Sequence, residues 1–372
     1  MEHKREYNYD LLRIISAVAV IMIHVSGTWF DGAIEDISEN GLLIGNIQSP
    51  VFICVYNSIS RFAVPCFLML SGAFILDNEQ NLNYKKFYEK SFAKVGVPLV
   101  AFSLIYIIYR IPLCFVGEKN GIMPLLKDIL KGSPMYHMWY LYMLIGVYAM
   151  VPVVMRFKSS ISDNTFYKFT FVFLILASIS RWTTGKVRLQ WDLGQAFEYL
   201  GYFMVGYTIR KMNQNHKNRI RAITMIVLGI VFELCAAGLE YKQLIAGIAE
   251  NELKYRIVSP YCPLIVPASI LIFYGFTMLN ITVNLKKISG ITFFIYLIHA
   301  GAWDVMVKAF HLLKGKEFLT GLDGAIWIPL FTVVIFIISC ILSRLYLWLW
   351  SMIDKNKRVT KYLAHIIHLQ TE

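Results

Sequence analysis

Residues 9–25, YDLLRIISAVAVIMIHV, have the length and apolarity of a helix crossing a bilayer, yet they hold Asp10, Arg13 and His24. Hydrocarbon penalises all three groups, which are retained in membrane helices where they face a bundle interior, a water-filled cavity or a ligand. The eleven steps from Arg13 to His24, at 100° each, end about 20° past three full turns. Both side chains therefore share one helix face, about 16 Å apart along the axis. Arg13 lies toward one end of the span and His24 past its midplane.

The surroundings repeat the membrane signal. The 372-residue chain is 57% hydrophobic and 16% charged, and its mean hydropathy is +0.55, well beyond the range of soluble domains. Ten apolar runs reach or approach the roughly 20 residues that a helix needs to span a bilayer core. They cover 9–29, 51–76, 93–116, 138–157, 165–181, 197–211, 220–239, 260–280, 290–310 and 326–350. The runs are continuously apolar, whereas strands of a porin-like barrel would alternate over about ten residues. The expected fold is an all-α polytopic bundle of about ten transmembrane helices, one membrane domain over 1–372 with no appended soluble domain. No small-residue cleavage pattern follows His24, so the first span is expected to be retained.

Twenty Lys and Arg residues fall on the amino-terminal side of this arrangement and thirteen on the other. Cytoplasmic loops are enriched in these residues, so both termini are expected in the cytoplasm. The net charge of +12 reads as a girdle attracted to anionic lipid. It forms no single basic domain that would bind nucleic acid. The loop expected at 30–50, with Asp31, Glu35, Asp36 and Glu39, is acidic and outward-facing. The six cysteines form no CxxC pair and no His-rich partner spacing, so no metal site is expected. Cys54, Cys114 and Cys262 lie near outer helix ends, where packing is favoured over a disulfide.

Three arginines, Arg13, Arg61 and Arg344, lie inside expected spans. Arg344 is near an end and can snorkel. Arg61, in SRFAVPCFLMLSG (60–72), is expected near the depth of His24, where a guanidinium needs an anionic partner, a cavity or a ligand. Pro65 can kink its helix. Ser71 and Gly72 permit a close helix approach. Asp10, one turn before Arg13, can hold its guanidinium. His137, Trp139 and Tyr140 open the fourth span, Glu198 begins the sixth, and His299 sits near the middle of the ninth with Asp304 five residues on.

The stretch DLLRIISAVAVIMIHV, an Arg, ten residues and a His, resembles the opening motif of the membrane acyltransferase-3 family, which includes bacterial O-acetyltransferases of surface polysaccharides. FAVPCFLMLSGAFIL, HMWYLYMLIGVYAMVPVV, FEYLGYFMVGYTI and ISGITFFIYLIHAG follow in the family's order and extend the resemblance over essentially the whole chain. It implies an enzyme of the bacterial inner membrane that moves an acyl group, most simply acetyl, from cytoplasmic acyl-CoA to a hydroxyl of an extracytoplasmic glycan or lipid-linked sugar. No permanently bound cofactor is implied. His24 then resembles the catalytic histidine, with Arg61 a second essential charge, and Arg13, Asp10 and Ser71 lie on the donor side. His137, Trp139, Tyr140, Glu198 and His299 are candidates to line the acceptor path. The alternatives are a transporter using His24 and Arg61 for substrate or proton handling, and a ligand-sensing membrane domain. A reporter fused after Glu372 will register a cytoplasmic carboxyl terminus; an outward-facing reporter contradicts the orientation read from the basic residues.

Overall fold

The computed structural model describes residues 5–40, 50–116, 122–184, 193–213, 216–246, 257–315, 319 and 322–353. Among them the secondary structure is helical, without strands. Among the described residues, seven helical segments are long and apolar enough to cross a membrane: Tyr7–Asp31, Pro50–Ile75, Tyr84–Phe115, Tyr136–Ser160, Arg219–Leu244, Thr292–Lys314 and Gly324–Met352. The other three runs read from the sequence fall on helices Asp163–Thr184, Leu193–Asn213 and Ile265–Met278. The last has 14 residues, a length of about 21 Å, short of the bilayer core.

The backbone clusters into two compact units, one comprising the described residues to Leu70 and from Ile209 to Met352, the other Ser71–Thr208. The first unit is built on α1 (Tyr7–Asn40). This helix continues well past the expected span, so the acidic residues read as a loop lie on helix as far as Asn40. Positions 41–49 lie outside the described residues. Against α1 pack α2 (Pro50–Ser58) and, from the carboxyl-terminal half, the helices Ile265–Met278, Lys286–Ser289 and Thr292–Lys314.

The run 51–76 is one span broken in two. After α2 the chain makes a turn over 59–62 and resumes as α3 (Ala63–Ile75). Pro65 explains the break: it has no N–H to give the Arg61 carbonyl four residues back, and its ring crowds that carbonyl. The expected distortion is present, centred just before the proline. Within the turn, Arg61 N–H bonds the Ser58 carbonyl at 3.0 Å and Ala63 N–H the Ser60 carbonyl at 3.2 Å, the tighter pattern of a 3-10 turn.

The second unit holds α4 (Tyr84–Ser91), α5 (Val97–Val116), α6 (Met123–Leu130), α7 (Trp139–Ser160), α8 (Asp163–Thr184) and α9 (Leu193–Asn213) as far as Thr208. A π-turn at Phe92–Gly96 joins α4 to α5. Arg110 ties α6 to α5, donating at 2.8 Å to both Asp128 and the Pro134 carbonyl. Lys158 donates at 2.6 Å to the Leu76 carbonyl just past the end of α3 and lies over the Tyr207 ring. A cation there meets the unsatisfied carbonyls of a helix end.

In the first unit, α10 (Arg219–Ile245) and α11 (Ile265–Met278) run antiparallel in extensive contact. Asn218 N–H bonds the Met278 carbonyl at 3.2 Å, and a Cβ placed on Gly275 would lie 2.7 Å from the Ala222 carbonyl. Small residues give this close approach in a membrane, where apolar burial alone does not drive helices together. Replacing Gly275 with Val should destabilise the detergent-solubilised protein by about 1–3 kcal/mol through overpacking, read as a lowered thermal midpoint; an unchanged midpoint contradicts this contact.

Candidate active site

The remaining helices of the first unit are α12 (Lys286–Ser289), α13 (Thr292–Lys314) and α14 (Gly324–Ile353). The short α12 and then α13 run alongside α1 in parallel. Arg13 meets Ser289, the His24 ring meets His299, and the Trp29 ring meets Trp303, so both chains advance together. The polar face seen in the sequence of α1 therefore looks onto this segment.

At the amino-terminal end of that face is an ion cluster. Arg13 Nη1 lies 3.5 Å from Asp10 Oδ1, the one-turn pair anticipated from the spacing. Asp10 has a closer partner, however: Arg5 donates from Nε at 2.7 Å and from Nη2 at 2.9 Å to its two oxygens, the two-pronged geometry that suits a guanidinium and a carboxylate. Ser289 completes the cluster, donating to Asp10 at 2.6 Å and accepting from Arg13 at 3.1 Å. Asp10 and Ser289 are buried.

Farther along that face, His24 is half-buried and His299 fully buried. Their ring centres are 5.2 Å apart, with the planes inclined at 30°. His299 Nδ1 is 2.6 Å from the Tyr296 carbonyl oxygen. One turn farther along, Trp29 stacks on Trp303 at 6.3 Å, and both pack on Phe331. The indole N–H groups are satisfied by the Leu322 carbonyl and Thr28 Oγ1, each at 3.0 Å, as buried tryptophans require.

Arg61, on the broken turn, is within electrostatic reach of His24. Its guanidinium donates to Asn57 Oδ1 from both Nε and Nη2. Asn57 donates to Ser26 Oγ at 3.3 Å, which links the arginine back to α1. On the other side stands a residue absent from the sequence-level candidates, Glu233 of α10. It is fully buried, and its Oε1 accepts the Phe62 backbone N–H at 2.8 Å. That N–H has lost its regular helical acceptor at the break, so the carboxylate caps the interruption. Arg61 is also within electrostatic reach of Glu233. Two turns along the same face of α10, buried Glu240 accepts from Ser58 Oγ at 3.0 Å. A carboxylate inside the apolar run 220–239 was the available sequence signal for Glu233.

His24, Arg61 and His299 thus come together, and Arg13 with Asp10 lies along the same helix. Ser71, His137, Trp139, Tyr140 and Glu198 belong to the second unit. Ser71 is half-buried, and the neighbouring Gly72 lies so close to the Phe203 backbone that a Cβ would collide with its carbonyl. His137 is buried edge-on to Tyr106 at 5.4 Å. Trp139 contacts Tyr140 at 6.2 Å and Tyr199 at 5.8 Å, and half-buried Glu198 precedes Tyr199 on α9. Asp304 pairs with Lys308 at 2.6 Å. Arg344 is exposed. All six cysteines are unbridged, with Cys54 and Cys262 buried. Among the described residues no three His, Cys, Asp or Glu side chains gather as metal ligands.

The family model of an acyltransferase domain, acyltransferase 3, matches residues 6–344. The chain belongs to the acyltransferase 3 family. Comparisons with curated proteins and with solved structures gave no match. Membership makes this chain a membrane acyltransferase. In this acyltransferase, Glu233→Ala should cost about 1–3 kcal/mol by stranding the buried Phe62 N–H, measured as loss of thermal stability. Glu233→Gln keeps an acceptor and should lose less; equal losses contradict the cap.

Proposed function

We propose that this acyltransferase is an O-acyltransferase, most simply an O-acetyltransferase, of the bacterial inner membrane. It takes the acyl group from cytoplasmic acyl-CoA and delivers it to a hydroxyl of an extracytoplasmic envelope glycan or lipid-linked sugar. The polar face of α1 supports this reading above all, with the guanidinium of Arg13 at one end, beside that of Arg5 just before the helix, and the imidazole of His24 about 16 Å beyond Arg13 along the axis. Guanidinium suits the phosphates of coenzyme A. The pantetheine arm then carries the thioester along the helix toward His24.

In this mechanism a neutral nitrogen of His24 takes the proton of the acceptor hydroxyl as its oxygen attacks the thioester carbonyl. A C–O bond forms, the carbon–sulfur bond breaks, and the proton passes from the imidazolium to the departing thiolate. The reaction is balanced without any other reactant. Arg61 supplies positive charge to the oxyanion from a site where little water competes.

Purified protein with acetyl-CoA, and water standing in for the unidentified acceptor, should release free thiol slowly. His24→Ala should reduce this by about 10²–10⁴-fold, the range for loss of a general base. Thiol release that survives His24→Ala contradicts the assignment. Solute uptake into proteoliposomes with no thioester cleavage would instead make the protein a transporter.

A further inference from the structure

We infer that Asn57 is the positioning residue for Arg61: it grips one edge of the guanidinium and ties it, through Ser26, to the turn of α1 that carries His24. The inference rests on the reading of His24 as the base and of Arg61 as the charge that meets the oxyanion.

The groups form a chain of hydrogen bonds whose direction is settled by their chemistry. A guanidinium has donors and no acceptor, so the oxygen of the Asn57 amide has to be the end that faces it. Oδ1 accepts there from Nε, at 3.0 Å, and from Nη2. The amide nitrogen is then turned toward α1, where Nδ2 donates to Ser26 Oγ at 3.3 Å. Ser26 can accept this bond because its own hydrogen goes to the Met22 carbonyl at 2.7 Å, with the Ile23 carbonyl at 3.2 Å beside it. Asn57 and Ser26 are buried, so a lost partner is not replaced by bulk water. An amide turned end for end would set N–H against N–H at the arginine. The chain admits one orientation.

That orientation matters because of where Arg61 sits. It is carried by the turn over 59–62 between α2 and α3, and its side chain is long and rich in rotamers. Stabilising an oxyanion requires donors that are in place before charge develops. Asn57 belongs to α2, and by taking the Nε–Nη2 edge it fixes the rotation of the guanidinium plane as well as its position. The Nη1–Nη2 end of the fork is thereby directed away from Asn57. Ser26 lies two residues after His24, and the carbonyls it bonds belong to the same turn of α1 as the imidazole. The base and the positive charge are thus joined by one short link. A neutral amide suits this task, since it anchors the cation without adding an opposing charge.

The test compares substitutions in the full-length detergent-purified protein, with acetyl-CoA as the probe and thiol release as the readout. Asn57→Leu keeps a similar volume and removes both polar ends. It should lower kcat about 10–100-fold with KM for acetyl-CoA within about twofold. Asn57→Asp returns oxygen acceptors to the guanidinium and should recover at least about fivefold in kcat over Asn57→Leu. Ser26→Ala leaves the hold on Arg61 but cuts the link to α1, and should lower kcat about threefold or more at unchanged KM. Arg61→Met combined with Asn57→Leu should be no slower than Arg61→Met alone, because Asn57 works only through the arginine. If Asn57→Leu cannot be recovered as a monodisperse protein, Asn57→Ala replaces it in the same comparison. A leucine or alanine variant with wild-type kcat, an aspartate variant no better than it, a Ser26→Ala protein with wild-type kcat, or additive losses in the double variant would each overturn the inference. The underlying reading fails separately: it falls if His24→Ala or Arg61→Met keeps wild-type kcat, whereas an inactive Arg61→Met with a fully active Asn57→Leu sinks only the assignment of Asn57.

Discussion

A guanidinium inside hydrocarbon has to be met by the protein, and Arg61 organises the first unit because of it. Insertion of an arginine at the centre of a membrane helix costs about 2.5–3.5 kcal/mol even on the mildest scale, so the surrounding elements supply partners. Asn57, one turn earlier, accepts two of its hydrogen bonds, and Glu233 of α10 stands opposite with its carboxylate on the next backbone N–H. Pro65 opens the helix at this point, and the break that would otherwise leave an orphaned amide is what brings α10 into the arrangement. Two turns away on α10, Glu240 accepts a hydrogen bond from the Ser58 side-chain hydroxyl. The broken span, the buried glutamates and the position of the arginine are thus one structural event with three visible parts.

The parallel course of α1 and the segment containing α12 and α13 gives that event its chemical setting. Corresponding depths on the two carry Arg13 with Ser289, His24 with His299 and Trp29 with Trp303. The sequence of contacts runs from an ion cluster through a pair of imidazoles to a packed aromatic group whose indole N–H groups are both satisfied. Tight aromatic packing at one end and paired charges at the other hold the histidines in a fixed register.

Much of this architecture can be read from residue order, and the exceptions have physical causes. Continuous apolar runs mark the helices because hydrocarbon demands them, but they do not mark where a helix stops. Hydropathy ends near residue 30, whereas α1 continues to Asn40 through Glu35, Asp36 and Glu39, because glutamate is a good helix former in water. Helix Asp163–Thr184 carries polar residues over both of its ends, and Ile265–Met278 is short, so neither meets the standard of a full span although both runs are helical. The shared face of Arg13 and His24 follows from the helical repeat alone. The partners of Arg61 do not, since Glu233 lies 172 positions away and no local periodicity links them. His299 stood out in its apolar run, yet only the tertiary fold brings its ring beside that of His24.

The most direct measurement is an experimental structure with a non-hydrolysable thioether analogue of acetyl-CoA bound. The account requires the acyl carbon beside the His24 imidazole, in the layer where α1 faces α13, and the coenzyme's phosphates against Arg5 and Arg13. An acyl group bound away from His24, or phosphates held elsewhere than at the Asp10 cluster, would contradict it.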